Sequence, residues 1–255
     1  MHDHGVDTAH LAIVGVAAAA GGVVNAVAGG GSLVTFPALV ACGLPAITAS
    51  ATNTVAMCPG YLGATYTQRS RLVGQGARAL KLLPVAAIGG ASGAFLLLQT
   101  GAAAFDVVVP FLILFAVVLL GFQERIRARV HTLLGSENAA IPIVGLASVY
   151  GGYFGAGLGV IILSALAIVI DDLLVRLNAL KQAISLAVNL TAAVVFLVIA
   201  RLDMTVVGVM AGSSLVGGVI GGVIATRVSA KVLRALVVTI GLLVSAVHFV
   251  KLFAH

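Results

Sequence analysis

Charge is what this chain has least of. Asp, Glu, Lys and Arg make up 9% of its 255 residues, against about 25% in a soluble domain. With 61% apolar residues and a mean hydropathy of +1.19, a water-soluble fold could not hide the apolar surface, so lipid must solvate most of it. Strand-like alternation is missing as well. The apolar runs are continuous, which excludes a membrane barrel and makes the spans helices. The 2 cysteines, Cys42 and Cys58, both lie in apolar segments and read as small packing residues rather than a disulfide or a metal site. The first ten residues contain no Lys or Arg, so they lack the basic start of a signal peptide and no cleavage is expected. His2, His4 and His10 in that stretch read as a solvated polar tail rather than a metal site. No cofactor is implied anywhere in the chain.

Acidic residues are rarer than basic ones, 8 against 14, giving a formal charge of +6 and a pI of about 9.8. Nucleic-acid binding would need a basic face with exposed aromatics or a known module, and neither is present. The excess reads instead as the positive-inside bias of membrane loops. All the acids, Asp3, Asp7, Asp106, Glu124, Glu137, Asp171, Asp172 and Asp203, fall in tails or at segment ends. None sits mid-membrane, where a Na⁺ site or a proton relay would need one.

Glycine is abundant, with 31 residues, and it is arranged. Ala28-Gly29-x-Gly31 recurs as Ala156-Gly157-x-Gly159, and Gly89-Gly90-x-x-Gly93 recurs as Gly217-Gly218-x-x-Gly221, both at an offset of 128 residues. Apolar stretches run over 10–26, 32–44, 46–67, 79–100 and 106–123, then over 139–154, 158–170, 174–199, 204–225 and 232–252. A helix needs about 20 residues to cross the hydrocarbon. The first two stretches of each half are shorter and are joined through glycine, so each pair is expected to form broken or re-entrant helices.

Arg69, Arg71, Arg78 and Lys81, then Arg125, Arg127 and Arg129, then Arg227, Lys231 and Arg234 mark cytoplasmic connections. The strongly basic stretch 69–81 maps at the 128 offset onto the nearly neutral 197–209, and between 101–106 and 229–234 the bias reverses. Equivalent loops therefore face opposite sides. The expected fold is an all-α integral membrane protein of two inverted-topology repeats, about five helical segments each. The first repeat covers 9–123, a cytoplasmic linker 124–138, and the second repeat 139–253, with both termini outside. A duplicated apolar chain with glycine breaks at matching points is the pattern of a secondary transporter, and the breaks point to its binding site.

Lys181 is the one basic residue well inside a predicted span. A charge there costs about 2.5–3.5 kcal/mol at the bilayer centre, which implies a partner or a substrate, unless the side chain snorkels towards the end marked by Arg176. Lys181 is matched with Thr52, Gln182 with Asn53 and Asn189 with Gly60, an offset of 129. Thr52, Asn53, Lys181, Gln182 and Asn189 thus form polar clusters on two equivalent helices; the alternative is interhelical glue. Asn25, Gly30, Gly31, Ser32 and Thr35 at the first break, with Tyr153 and Gly157 at the second, would face the middle of the protein. Ser32 is the expected N-cap of a half-helix starting at Leu33, and such an N-terminus suits an oxyanion. Close packing through glycine is the alternative. A positive Lys, neutral donors and no interior carboxylate favour an anionic substrate. With the cell interior negative, moving one negative charge outward gains about 2.3 kcal/mol per 100 mV, which, with no coupling carboxylate in view, leans towards export or facilitated diffusion.

The run Gly21-Gly22-Val-Val-Asn25-Ala-Val-Ala-Gly29-Gly30-Gly31-Ser32-Leu33, followed by Pro37, Gly43-Leu44-Pro45 and Ala51-Thr52-Asn53, resembles the opening of the TauE/SafE family of sulfite exporters and sulfonate permeases. Gly151-Gly152-Tyr-Phe-Gly155-Ala-Gly157-Leu-Gly159, Leu177-Asn178-Ala-Leu-Lys181-Gln182 and Asn189 resemble its second half. The resemblance covers nearly the whole chain. It implies transport of small sulfur oxyanions or organosulfonates, such as sulfite or a thiosulfate-like ion, across a bacterial inner membrane, and no enzymatic activity. Transport of another small solute, a carboxylate or an amino acid, stays open, as does a homo-oligomeric state. A remote alternative is an intramembrane protease using Ser32 and His248, but Ser32 lacks the Gly-x-Ser-x-Gly setting and that reading leaves the repeat unexplained. Gly155-x-Gly157-x-Gly159 is not a nucleotide fingerprint, since no strand precedes it.

Overall fold

A computed structural model describes residues 7–130, 137–225, 227, 235, 237–239, 241–243, 245 and 246. The described chain is helical throughout: α1 (Thr8–Val27), α2 (Ser32–Ala41), α3 (Ala46–Thr67), α4 (Gly76–Gln99), α5 (Ala102–Val130), α6 (Ala140–Tyr153), α7 (Leu158–Val169), α8 (Leu174–Ile199) and α9 (Met204–Ile224). Short 3₁₀ turns precede α4 and α6 at Arg69–Leu72 and Glu137–Ala139. Five of these helices, α1, α4, α5, α8 and α9, are long and apolar enough to cross a membrane.

Boundaries follow the apolar runs and their glycine, proline and charge breaks. The stretches 46–67 and 174–199 are α3 and α8 to the residue. Two expectations are corrected. The first stretch is not short: α1 has 20 residues, because Thr8 and Ala9 at one end and Val27 at the other extend the helix beyond the apolar run. The fifth helix does not stop with its apolar run at 123, since α5 continues through residue 130; Arg and Glu are good helix formers and need no apolar pattern to propagate an existing helix. The expected last segment, 232–252, lies largely outside the described residues. Those described within it are helical, and Ser245 Oγ donates to the Pro110 carbonyl of α5 (3.2 Å).

Small residues set the packing. Cβ atoms built on Gly218 and Gly60 would run into the facing helix, Gly218 against Gly60 of α3 and Gly60 against Ser214 of α9. Gly90 of α4 meets Val188 of α8 in the same way. Such absences of side chain let helix backbones touch. Gly60 and Val188 stand 128 residues apart, as do Gly90 and Gly218, so the packing holds the repeat offset at 128. That places Lys181 opposite Asn53 rather than Thr52; the match at 129 was one residue out of register.

Contacts also give helix directions. Alongside α4, Gln75 Nε2 donates to the Arg176 carbonyl (3.0 Å) and Thr191 Oγ1 to the Ala87 carbonyl (2.9 Å), so α4 and α8 run the same way. Gly89 lies against Gly145 and Ser148, and Gly93 against Val149 and Tyr153, so α6 runs with them. Gly60 lies against Ser214 and Gly222 against Thr67, while Gly15 lies against Val209 and Gly221 against Val23. Thus α1, α3 and α9 share one direction. The two sets oppose each other: Asn178, near the start of α8, donates to Gln68, just past the end of α3 (2.8 Å).

The end of the molecule where α3 finishes and α4 and α8 begin is basic and tied by ions. Asp172 accepts from Arg78 Nη1 (2.6 Å) and sits 3.0 Å from Arg176 Nε. Burial opposes its charge, yet hydrogen bonds from Arg78, the Leu173 amide and Arg176, together with Arg176's charge, prevail and hold the Asp172 carboxyl below the usual carboxylate range.

Candidate functional site

The first glycine break ends α1 inside the protein. The last carbonyls of a helix lack intrahelical partners, and here side chains from α8 supply them. Lys181 Nζ donates to the Asn25 carbonyl (2.9 Å). Gln182 Nε2 donates to the carbonyls of Asn25 (3.1 Å) and Ala26 (2.9 Å), and Asn178 Nδ2 to that of Ala26 (3.2 Å). A cation at a helix C-terminus is also favoured by the helix dipole. Lys181 is 0% exposed, so it does not snorkel. No acid pairs with it among the described residues.

The network continues through the break. Asn25 Oδ1 accepts from the Gly31 amide (2.6 Å), and Thr35 Oγ1 donates to Asn53 Oδ1 of α3 and approaches the Gly31 carbonyl (3.4 Å). Asn25, Gly31, Thr35, Asn53, Lys181 and Gln182 thus form one buried chain of contacts linking α8, α1, α2 and α3. Around it stand buried polar atoms with no hydrogen-bond partner among the described residues: Asn25 Nδ2, Thr52 Oγ1, Gln182 Oε1 and Ser185 Oγ.

Other expected site residues lie elsewhere. Ser32 is not an N-cap: Gly31 holds that position with helical backbone and no capping side chain, and Ser32 begins α2. The Asn25 side chain accepts from the Gly31 amide, so one amide at the α2 N-terminus is already taken by the protein itself. Gly30 packs on Leu120 and Val237. Tyr153 lends its carbonyl to Ser50 Oγ (3.5 Å), but its hydroxyl turns away to Thr100 (3.3 Å). Gly157 begins α7 from left-handed backbone (φ 73°) against Ala116. Asn189 bonds back to the Ser185 carbonyl (2.8 Å) within α8. His248, the second member of the remote dyad, lies outside the described residues.

The two breaks meet. A Cβ built on Gly29 would stand 2.6 Å from the Gly159 carbonyl carbon, and one on Gly159 the same 2.6 Å from Gly29 Cα. The arrangement is therefore a closed one, with the polar cluster buried beside the contact. A cleft lined by Arg78, Lys81, Leu82 and Ile141 lies at the basic end and shares no lining residue with the cluster. Among the described residues no group of His, Cys, Asp and Glu is placed to hold a metal ion, and Cys42 and Cys58 are free thiols.

Sequence reasoning missed Ser50, Gln68, Asn178 and Ser185. The repeat carried a signal for two of them. Asn178 and Ser50 stand 128 apart, and the carbonyls they reach, Ala26 and Tyr153, stand 127 apart.

The model of the family described as "Sulfite exporter TauE/SafE" matches residues 13–247. The chain belongs to the TauE/SafE family. This TauE/SafE chain is 29% identical to a probable membrane transporter protein of Haemophilus influenzae over 96% of its length and 95% of that protein. It is 26% identical to the probable membrane transporter protein YfcA of Escherichia coli K12, over 88% and 84%. A third relative, the probable membrane transporter protein ORF9 of Sinorhizobium sp, is 24% identical over 91% and 89%. No solved structure matches the TauE/SafE chain. With its candidate spans, membership makes it a multi-pass membrane transporter.

Proposed function

We propose that the protein carries small anions, sulfite or an organosulfonate, outward across a bacterial inner membrane by alternating access between two inverted repeats. The observation that carries the anion reading is Lys181: a fully buried cation held only by neutral groups. Such a site is short of negative charge, and an anion supplies it. The family's description supplies the sulfur oxyanion.

Inversion is supported by helix direction. The helices equivalent at the 128 offset, α1 with α6, α3 with α8 and α4 with α9, belong to opposite-running sets. Each half also packs its fourth helix on the other half: α9 lies on α1 and α3, and α4 on α6 and α8. Rocking one half against the other would part the Gly29–Gly159 contact and expose the cluster to one face at a time. The basic end is the cytoplasmic one under the positive-inside rule, which puts the start of α1 outside.

The test is flux in proteoliposomes of sulfite, sulfoacetate and thiosulfate against acetate and alanine. The expected result is flux of the sulfur anions, lost in Lys181→Ala and partly kept in Lys181→Arg. Carriage of alanine with no sulfur anion would refute the substrate class.

A further inference from the structure

Many helical hydroxyls in this protein bond back to the carbonyl four residues earlier. Thr54 does so to Ser50 (3.0 Å), Ser92 to Ile88 (2.9 Å), Ser148 to Val144 (2.6 Å) and Thr65 to Tyr61 (2.8 Å). This is the default for a Ser or Thr in a helix with nothing else to bind. Like Thr52, Ser185 departs from it. It is 0% exposed and its hydroxyl has no partner among the described residues, an arrangement that is costly unless something else uses it.

Its position says what that could be. Ser185 follows Lys181 by one turn and Gln182 by three residues, so all three share a face of α8. Helical side chains lean towards the N-terminus, which tips the Ser185 hydroxyl over the Lys181–Gln182 turn. Two more unpaired atoms lie in the same network: Asn25 Nδ2, on the residue whose carbonyl Lys181 engages, and Gln182 Oε1, on the side chain that donates to that same carbonyl. We infer that Ser185 is a direct ligand of the transported anion, donating its hydroxyl to an anion oxygen while Lys181 supplies the charge. This rests on the anion reading of the Lys181 cluster.

The hydroxyl then acts in binding rather than in folding. Ser185→Ala is expected to raise the KM for the sulfur anion that the parent carries by about tenfold, the loss of one hydrogen bond to a charged group. Maximal flux should stay unchanged, and the melting temperature in detergent should not fall, since the lost hydroxyl is unpartnered in the folded protein. Ser185→Cys, which keeps the size and weakens the donor, should behave alike. Ser148→Ala, which removes an equally buried but back-bonded hydroxyl, should leave KM alone. An unchanged KM in both Ser185 variants, with Lys181→Ala still abolishing flux, would overturn the role of Ser185 and leave the anion reading standing. If Lys181→Ala also transports normally, the anion reading falls with it.

Discussion

Replacing Lys181 by Met separates its two candidate roles, helix cap and anion ligand. The side chain is of similar length and fills irregular space well. Removing the ammonium relieves an insertion cost of about 2.5–3.5 kcal/mol. Against this stands one charge-assisted hydrogen bond, about 1.5–3 kcal/mol, and the interaction with the α1 C-terminus, about 0.3–1 kcal/mol. The Asn25 carbonyl is not orphaned, because Gln182 still donates to it at 3.1 Å. The balance runs from about 1.5 kcal/mol less stable to about 2 kcal/mol more stable. In a chain of this size that limits any fall in melting temperature to about 6 °C. Flux of the sulfur anion, in contrast, should vanish. The assay is thermal unfolding in detergent paired with proteoliposome flux on the same preparation. A fall well beyond about 10 °C would show that the lysine is chiefly a structural cap, and flux at the parent's rate would show that no anion depends on it. Either result refutes the argument.

Two further outcomes follow from the same geometry. Gly29 and Gly43 both have left-handed backbone (φ 82° and 91°), but only Gly29 faces another backbone; nothing lies within 4 Å of a Cβ on Gly43. Gly43→Ala should therefore lower stability by about 1–2 kcal/mol, while Gly29→Ala, which must also push apart the two breaks, should cost clearly more and impair flux, read by melting temperature and transport. Asp172 has a lowered carboxyl pKa, so its contribution is present above the ordinary carboxylate range, near 4, and is lost as pH falls through the lowered value. Asp172→Asn should melt lower than the parent at neutral pH, and the gap should close on acidification. A gap that is constant with pH would place the stabilisation elsewhere.

Most of the architecture was legible from local signals. Helix ends follow where apolar runs stop at charge, glycine or proline, which is why α3 and α8 come out to the residue. The duplicated glycines identify the breaks, and the left-handed backbone at both Gly29 and Gly157 shows equivalent positions doing the same thing. The cap on α2 was misread because the helix begins one residue earlier than the apolar pattern implies, with Gly31 in the cap position and Ser32 already helical. The register slip between Lys181 and Thr52 arose from matching polar residues by type, whereas glycine contacts fix the offset. Ser185 was passed over because a serine in an apolar helix ordinarily satisfies itself.

By itself, then, the order of residues determined the solvent, the helices and the places where they break, since each depends on composition and on neighbours a few positions away. What Lys181 does was decided only when α8 was laid against the end of α1. Its carbonyl partner is 156 residues distant in the chain, and whether a buried cation meets water, an acid or a row of unpaired carbonyls depends on which backbone packing brings to it.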